Sequence, residues 1–126
     1  MGYAHLQARF MRFALAITQV TDKFPSRKVY FVITDQLIRS ATSSAANYRA
    51  ASRAKTARDF INKLKIVEEE LDESLFWMEF TTKYNETYET ELAQLKKEAD
   101  ELISIIVASI KTARKNLKEN SSTKMK

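Results

Sequence analysis

One glycine, Gly2, and one proline, Pro25, are all that the 126 residues contain, and this scarcity constrains the fold more than any motif does. Tight β-turns draw on glycine, asparagine and proline for their special dihedral angles. A chain with 44% hydrophobic residues and almost no turn formers is therefore expected to be all-α. Its length is that of one domain, enough to enclose a single core. The absence of cysteine removes disulfides and thiolate metal sites and suits a reducing cytoplasm. Apolar runs such as Ile105–Ala108 fall far short of the roughly 20 residues of a membrane span. The start, MGYAHLQARF, has no apolar signal core. A soluble, cytoplasmic protein with no membrane partner is expected.

Apolar periodicity divides the chain into four helices. Leu6, Phe10, Phe13, Ile17, Val20 and Phe24 recur at spacings of 4, 3, 4, 3 and 4, the seam of a helix in a left-handed bundle. This places helix 1 over about 4–23, ended by Pro25, which disfavours the α region for the residue before it. Residues 26–32 are expected to form a connector with apolar content at Val29, Tyr30 and Phe31, a short helical turn that plugs the bundle end being one form of it. Thr34 offers an N-cap for a second helix over 34–54, whose seam is Leu37, Ala41, Ser44, Tyr48 and Ala51. Many of its side chains are small, allowing a neighbouring backbone to come close. Thr56 with Asp59 approximates a capping box for helix 3, over 57–83, with the seam Phe60, Leu64, Val67, Leu71, Leu75 and Met78. Phe76, Trp77 and Phe80 lie beside that seam, giving helix 3 apolar surface for a broad core or for a subunit contact. Asn85 and Thr87 serve the next connection, and Leu92, Leu95, Ala99, Leu102, Ile106, Ile110, Ala113 and Leu117 mark helix 4 over 86–118. Short connections between long helices imply an antiparallel up-and-down four-helix bundle over 1–119. Residues 120–126 lack apolar pattern and are expected to form a disordered basic tail.

Charge is distributed unevenly along this pattern. Net charge is +3 over residues 1–38, +6 over 39–65, −9 over 66–101 and +5 over 102–126. With helices running up and down, Arg39, Arg49, Arg53, Lys55, Arg58 and Lys63 are expected to meet Lys111, Arg114, Lys115 and Lys118 as a basic rim suited to phosphates. The cations of helix 4 also complement the carboxyl end of its dipole. A plain solvated helix face has the same composition.

Chemistry is hard to place on this chain. Its only histidine is His5, and no Glu-x-x-His pair of the di-iron bundle type occurs. Nucleophilic catalysis lacks a cysteine or a serine–histidine pairing, and glycine-rich nucleotide loops need more than Gly2. No enzyme activity, metal or cofactor is expected. Gln36, Ser40, Ser43 and Asn47, spaced 4, 3 and 4, share one face of helix 2. A buried amide must find partners or cost about 1–3 kcal/mol, so a structural network of Gln36, Ser43 and Asn47 with Glu69, Glu70 and Glu73 is expected, Asn47 bonding a carboxylate of helix 3. An active site around Asn47 is the alternative. Lys65 and Glu69 are spaced as an i, i+4 pair.

These residues together resemble a known family. The Phe24–Pro25 break is followed by T-x-Q-x-x-R-x-A-x-S-x-x-x-N at Thr34, Gln36, Arg39, Ala41, Ser43 and Asn47. R-A-x-x-R-A-K from Arg49 and DFINKLKIVEEELDESLFW from Asp59 complete the pattern. The chain is similar, from about Leu6 to Leu117, to the bacterial four helix bundle proteins, also called 23S rRNA intervening sequence proteins. It departs from relatives that read N-I-A-E-G, since Tyr48, Arg49, Ala50 and Ala51 follow Asn47 here. The resemblance implies a homopentamer of antiparallel four-helix bundles with a basic character suited to nucleic acid. It extends distantly to accessory variability proteins of diversity-generating retroelements, which implies RNA or DNA and a reverse transcriptase as partners.

Two functions follow as expectations. One is a non-enzymatic, oligomeric nucleic-acid-binding accessory protein. The other is a protein–protein assembly or adaptor module, its cations neutralised by the acids of residues 68–73 on adjacent subunits and no nucleic acid bound.

Overall fold

A computed structural model describes residues 2–125, with side chains described for 2–120. Four α-helices follow one another as α1 (Tyr3–Thr21), α2 (Lys28–Ser52), α3 (Ala57–Tyr84) and α4 (Glu89–Met125), with a 3-10 turn at Glu86–Tyr88. Cross-helix contacts establish the antiparallel order. Gln7 near the start of α1 donates to Ser52 at the end of α2, at 2.8 Å. Arg9 in the first half of α1 and Lys23 just past its end reach Glu98 and Glu91 of α4 in the reverse order. The chain is thus an all-α four-helix bundle with α4 closing back on α1.

Helix starts show where tertiary packing overrides local capping. α2 begins at Lys28, six residues ahead of the expected Thr34, and absorbs most of the predicted connector. Arg27, the residue before it, is extended, and its side chain caps nothing. What fixes this start is the bend at Pro25 and the burial of Tyr30, which is 1% exposed and packs its ring 5.0 Å from that of Phe24. Thr34 therefore lies inside the helix. At α3 the sequence rule operates directly: the Thr56 hydroxyl accepts from the Asp59 amide at 3.0 Å. Asn85 likewise caps the 3-10 turn, its Oδ1 accepting from the Thr87 amide at 3.0 Å. The Tyr88 hydroxyl then donates to the Lys23 carbonyl at 2.8 Å, tying this turn to the Pro25 loop.

α4 does not stop at Lys118. It runs through Met125, so the stretch expected as a disordered tail from 120 continues the helix, and Lys126 lies outside the described residues. No glycine or proline interrupts the backbone ladder there. At 1.5 Å per residue α4 is about 55 Å long against about 42 Å for α3, so it overhangs the bundle at the end where α3 begins.

The core is built from one stripe of each helix. Phe10, Phe13 and Ile17 of α1 meet Ile33, Leu37 and Ala41 of α2, Leu64, Val67, Leu71 and Met78 of α3, and Leu92, Leu102 and Ile106 of α4, all at most 2% exposed. Burial of each larger side chain stabilises the fold by about 1.5–3 kcal/mol. The α3 stripe is turned slightly from the expected seam: Ile61 and Ser74 are buried, while Phe60 and Leu75 are half-buried. Its small member matters for α2. Ser40 and Ser74 are wholly buried opposite one another, with their hydroxyls 2.7 Å apart. Ser74 also donates to the Glu70 carbonyl at 3.1 Å and Ser44 to the Ala41 carbonyl at 2.7 Å. Small side chains let the two backbones approach, and these bonds satisfy the buried hydroxyls that closeness requires.

Candidate nucleic-acid interface

The bundle end formed by the start of α1, the α2–α3 connection and the last turns of α4 collects most of the cations. Arg49, Arg53, Lys55 and Arg58 are exposed around the connection, and Lys63 is half-buried about a turn further along α3. Lys111, Arg114 and Lys115 are exposed on α4 within the stretch that faces Phe60 and Tyr3, and Lys118 is exposed just past it. Among the described residues none of these nine forms an ion pair. Asp59 and Glu119 are the only acids interspersed with them. An unneutralised cluster of this kind raises the local concentration of polyanions.

A fixed aromatic cluster lies beneath the cations. The Phe10 and Tyr48 rings stack at 4.9 Å and 17°. Tyr3 packs against Tyr48 at 6.4 Å and edge-on to Phe60 at 6.1 Å. Burial, assisted by neighbouring Tyr3, pushes the Tyr48 hydroxyl up to about 12. It stays neutral at any physiological pH.

Arg39 does not belong to this end. It lies midway along α2, where its guanidinium donates to Glu70 at 3.1 Å and pairs more closely with Glu73. The hydrogen bond from Arg39 holds the Glu73 carboxyl below the ordinary glutamate range, against the opposing effect of burial. An arginine committed to two carboxylates is not available to phosphate, and Arg39 leaves the candidate set for that reason.

The polar register of α2 also resolves differently from expectation. The Asn47 amide donates to the Ser43 carbonyl at 2.9 Å and to the Ser43 hydroxyl at 3.1 Å, closing within its own helix instead of reaching a carboxylate of α3. Register explains why. With Ser40 opposite Ser74, antiparallel counting sets Asn47 level with Val67, about a turn from Glu70 and farther from Glu73. Gln36 is half-buried and makes no side-chain hydrogen bond among the described residues. Glu69 is exposed on the other side of α3, in a groove of about 280 Å³ with Lys65, Glu68, Asp72 and Ile103. Lys65 and Glu69 line that groove, and among the described residues they form no ion pair. The expected six-residue network is thus an Arg39–Glu70–Glu73 clamp, a Ser43–Asn47 pair and two side chains apart from both.

One clamp was invisible to pattern reading. Arg9 of α1 grips Glu98 of α4 through two bonds, Nε to Oε2 at 2.8 Å and Nη2 to Oε1 at 2.7 Å, and adds Glu101 at 2.8 Å. The i, i+3 spacing of Glu98 and Glu101 was the available signal, but nothing linear pairs it with α1. The Arg9 hydrogen bond holds Glu98 below the ordinary glutamate range. Native Glu98 therefore binds fewer protons than unfolded Glu98, so its stabilisation is present above the unfolded pKa and is lost as pH falls through the folded one. The melting temperature is expected to drop as pH is lowered from about 7 to about 3, and Glu98→Gln to flatten that drop by roughly 4 °C, the equivalent of about 1 kcal/mol. Thermal melts of both proteins across this range check it.

A second surface lies toward the opposite end of α3. Phe76, Phe80 and Tyr84 are 55%, 39% and 49% exposed. They form a continuous ridge, with Phe76 and Phe80 6.3 Å apart and Phe80 and Tyr84 stacked at 6.4 Å and 9°. Trp77 supports it from the side, 5.0 Å from Phe76.

Among the described residues no group of three or more histidine or acidic side chains gathers in a metal-binding arrangement, and no helix is long and apolar enough to cross a membrane. Fold and surfaces define a helical-bundle protein with a basic end and an aromatic ridge. Residues 6–108 match the family described as 23S rRNA-intervening sequence protein, and the chain belongs to that family. It is also similar to a crystal structure from Bacteroides thetaiotaomicron VPI-5482, described as a protein with unknown function from the S23 ribosomal protein family. That likeness has a TM-score of 0.77 at 28% identity and covers 83% of this chain and 97% of the other. No curated protein matches the chain at a significant level.

Proposed function

We propose that this protein is a non-enzymatic, cytoplasmic accessory factor that assembles as a homo-oligomer and holds RNA or DNA on its basic end. The observation that carries this reading is the set of nine cations at one end with no carboxylate partner among the described residues. Phosphates are the ligand such a surface serves best, because each contact releases condensed counterions. The family resemblance supplies two contexts with such a polyanion, an rRNA intervening sequence and a retroelement with its reverse transcriptase.

The α3 ridge supports assembly. A closed ring, including the pentamer implied by the resemblance, repeats one head-to-tail contact, and exposed aromatics are the side chains such contacts favour. The same ridge favours the second reading, an adaptor whose partner is another protein, with Glu68, Glu69 and Asp72 of one copy meeting the cations of the next.

Binding of labelled RNA and DNA oligomers over a series of salt concentrations decides between the readings. Retention at low salt is expected, with log K falling against log salt at a slope near −5 if about five or six phosphates are held. No retention of either nucleic acid at low salt sinks the first reading.

A further inference from the structure

We propose that the groove between the start of α1 and the C-terminal half of α4 is a nucleobase pocket, so that the polyanion on the basic end is single-stranded with a base turned out of its stack. The inference rests on the nucleic-acid reading above and goes beyond it by naming the strand state and the group that reads it.

The groove encloses about 540 Å³ and is open to solvent. Tyr3 and Phe60 form one wall, Tyr3 with 49% of its surface exposed and its ring packed edge-on to Phe60 and tilted against Tyr48. A ring fixed in this way offers a face for stacking with little left to order on binding. The α4 wall alternates Ile105 and Ala108 with Ser109, Thr112 and Asn116. Apolar groups match the faces of a heterocycle, and the hydroxyls and amide match its edges.

Charge selects this occupant over an apolar helix or a second copy. Ile105, Ala108, Thr112 and Lys115 follow one another at spacings of 3, 4 and 3, so an exposed ammonium lies on the same helical face at the mouth of the groove. Arg58 lies two residues before Phe60 in the first turn of α3. A base in the groove thus leaves its flanking phosphates beside cations. A duplex keeps its bases paired and stacked, so it meets the cations alone.

The test compares a labelled 12-nucleotide oligo-U with a hairpin duplex of equal phosphate number, by fluorescence anisotropy at fixed low salt. The single strand is expected to bind about tenfold tighter, and Tyr3→Ala to remove about five- to tenfold of its affinity while leaving the duplex unchanged. Tyr3→Phe should retain the preference. Ala108→Leu, a substitution at an exposed position that fills the groove, should reduce it without touching the aromatic cluster. Equal binding of the two ligands, or equal loss for both on Tyr3→Ala, overturns the pocket while leaving the nucleic-acid reading intact. Absence of binding to either ligand overturns both. A change of assembly mass on Tyr3→Ala places another protein copy in the groove and overturns the pocket as well.

Discussion

Reversing Arg53 and Arg58 together to glutamate is expected to weaken nucleic-acid binding at least about a hundredfold at 0.1 M salt. Each phosphate contact contributes close to 0.9 log units at that concentration relative to 1 M, and reversal adds repulsion to the two contacts removed. The fold should survive. Both side chains are exposed and outside any ion pair among the described residues. Glutamate at 58 falls in the first turn of α3, where a negative charge complements the helix dipole. Lys28→Glu is the control, with half the charge change. It changes an exposed cation at the other end of α2, about 37 Å away by helical rise and several Debye lengths distant. Its effect on affinity should stay within about twofold. Titrations at several salt concentrations check all three proteins, and the double variant should also flatten the salt slope by about two units or more. A loss from Lys28→Glu at least half as large, in log units, as that of the double variant would show that total charge, not this end of the bundle, governs binding.

Helix identity was legible in the sequence because it depends on local rules. The apolar rhythm from Leu6 to Phe24 marks α1, and the Thr56 hydroxyl caps the Asp59 amide where its type and spacing suggest. The cations from Arg49 to Lys63 and from Lys111 to Lys118 share one end because up-and-down topology leaves them no other arrangement. What escaped the sequence depends on how one helix slides along another. Asn47 was expected to reach α3, but register puts it level with Val67 and leaves Arg39 beside the carboxylates. The early start of α2 escaped for a related reason: Tyr30 is buried against Phe24 across the bend, a contact with no linear signature. Capping preferences of about 1 kcal/mol are outweighed by burying one such ring.

Phe76→Glu combined with Phe80→Glu is expected to give the largest change in assembly, converting the proposed homo-oligomer to a monomer of 14.6 kDa. Aromatic anchors at the centre of an interface each cost about 2 kcal/mol or more when removed. Two together correspond to a weakening of roughly a thousandfold per contact. Both rings are exposed in the single chain, so their loss opens no cavity in the core. Circular dichroism should remain helical while light scattering reports the lower mass. Retention of the parent mass would exclude the ridge as the subunit contact. The ridge lies toward the end of α3 opposite the cation cluster, so the monomer keeps every proposed phosphate contact of its own basic end. Its nucleic-acid affinity should therefore fall through lost multivalency, and its salt slope should shrink to that of one protomer. The Arg53 and Arg58 reversals act the other way, removing affinity at unchanged mass. Measuring mass and affinity on both variants separates assembly from binding, which the adaptor reading treats as a single surface.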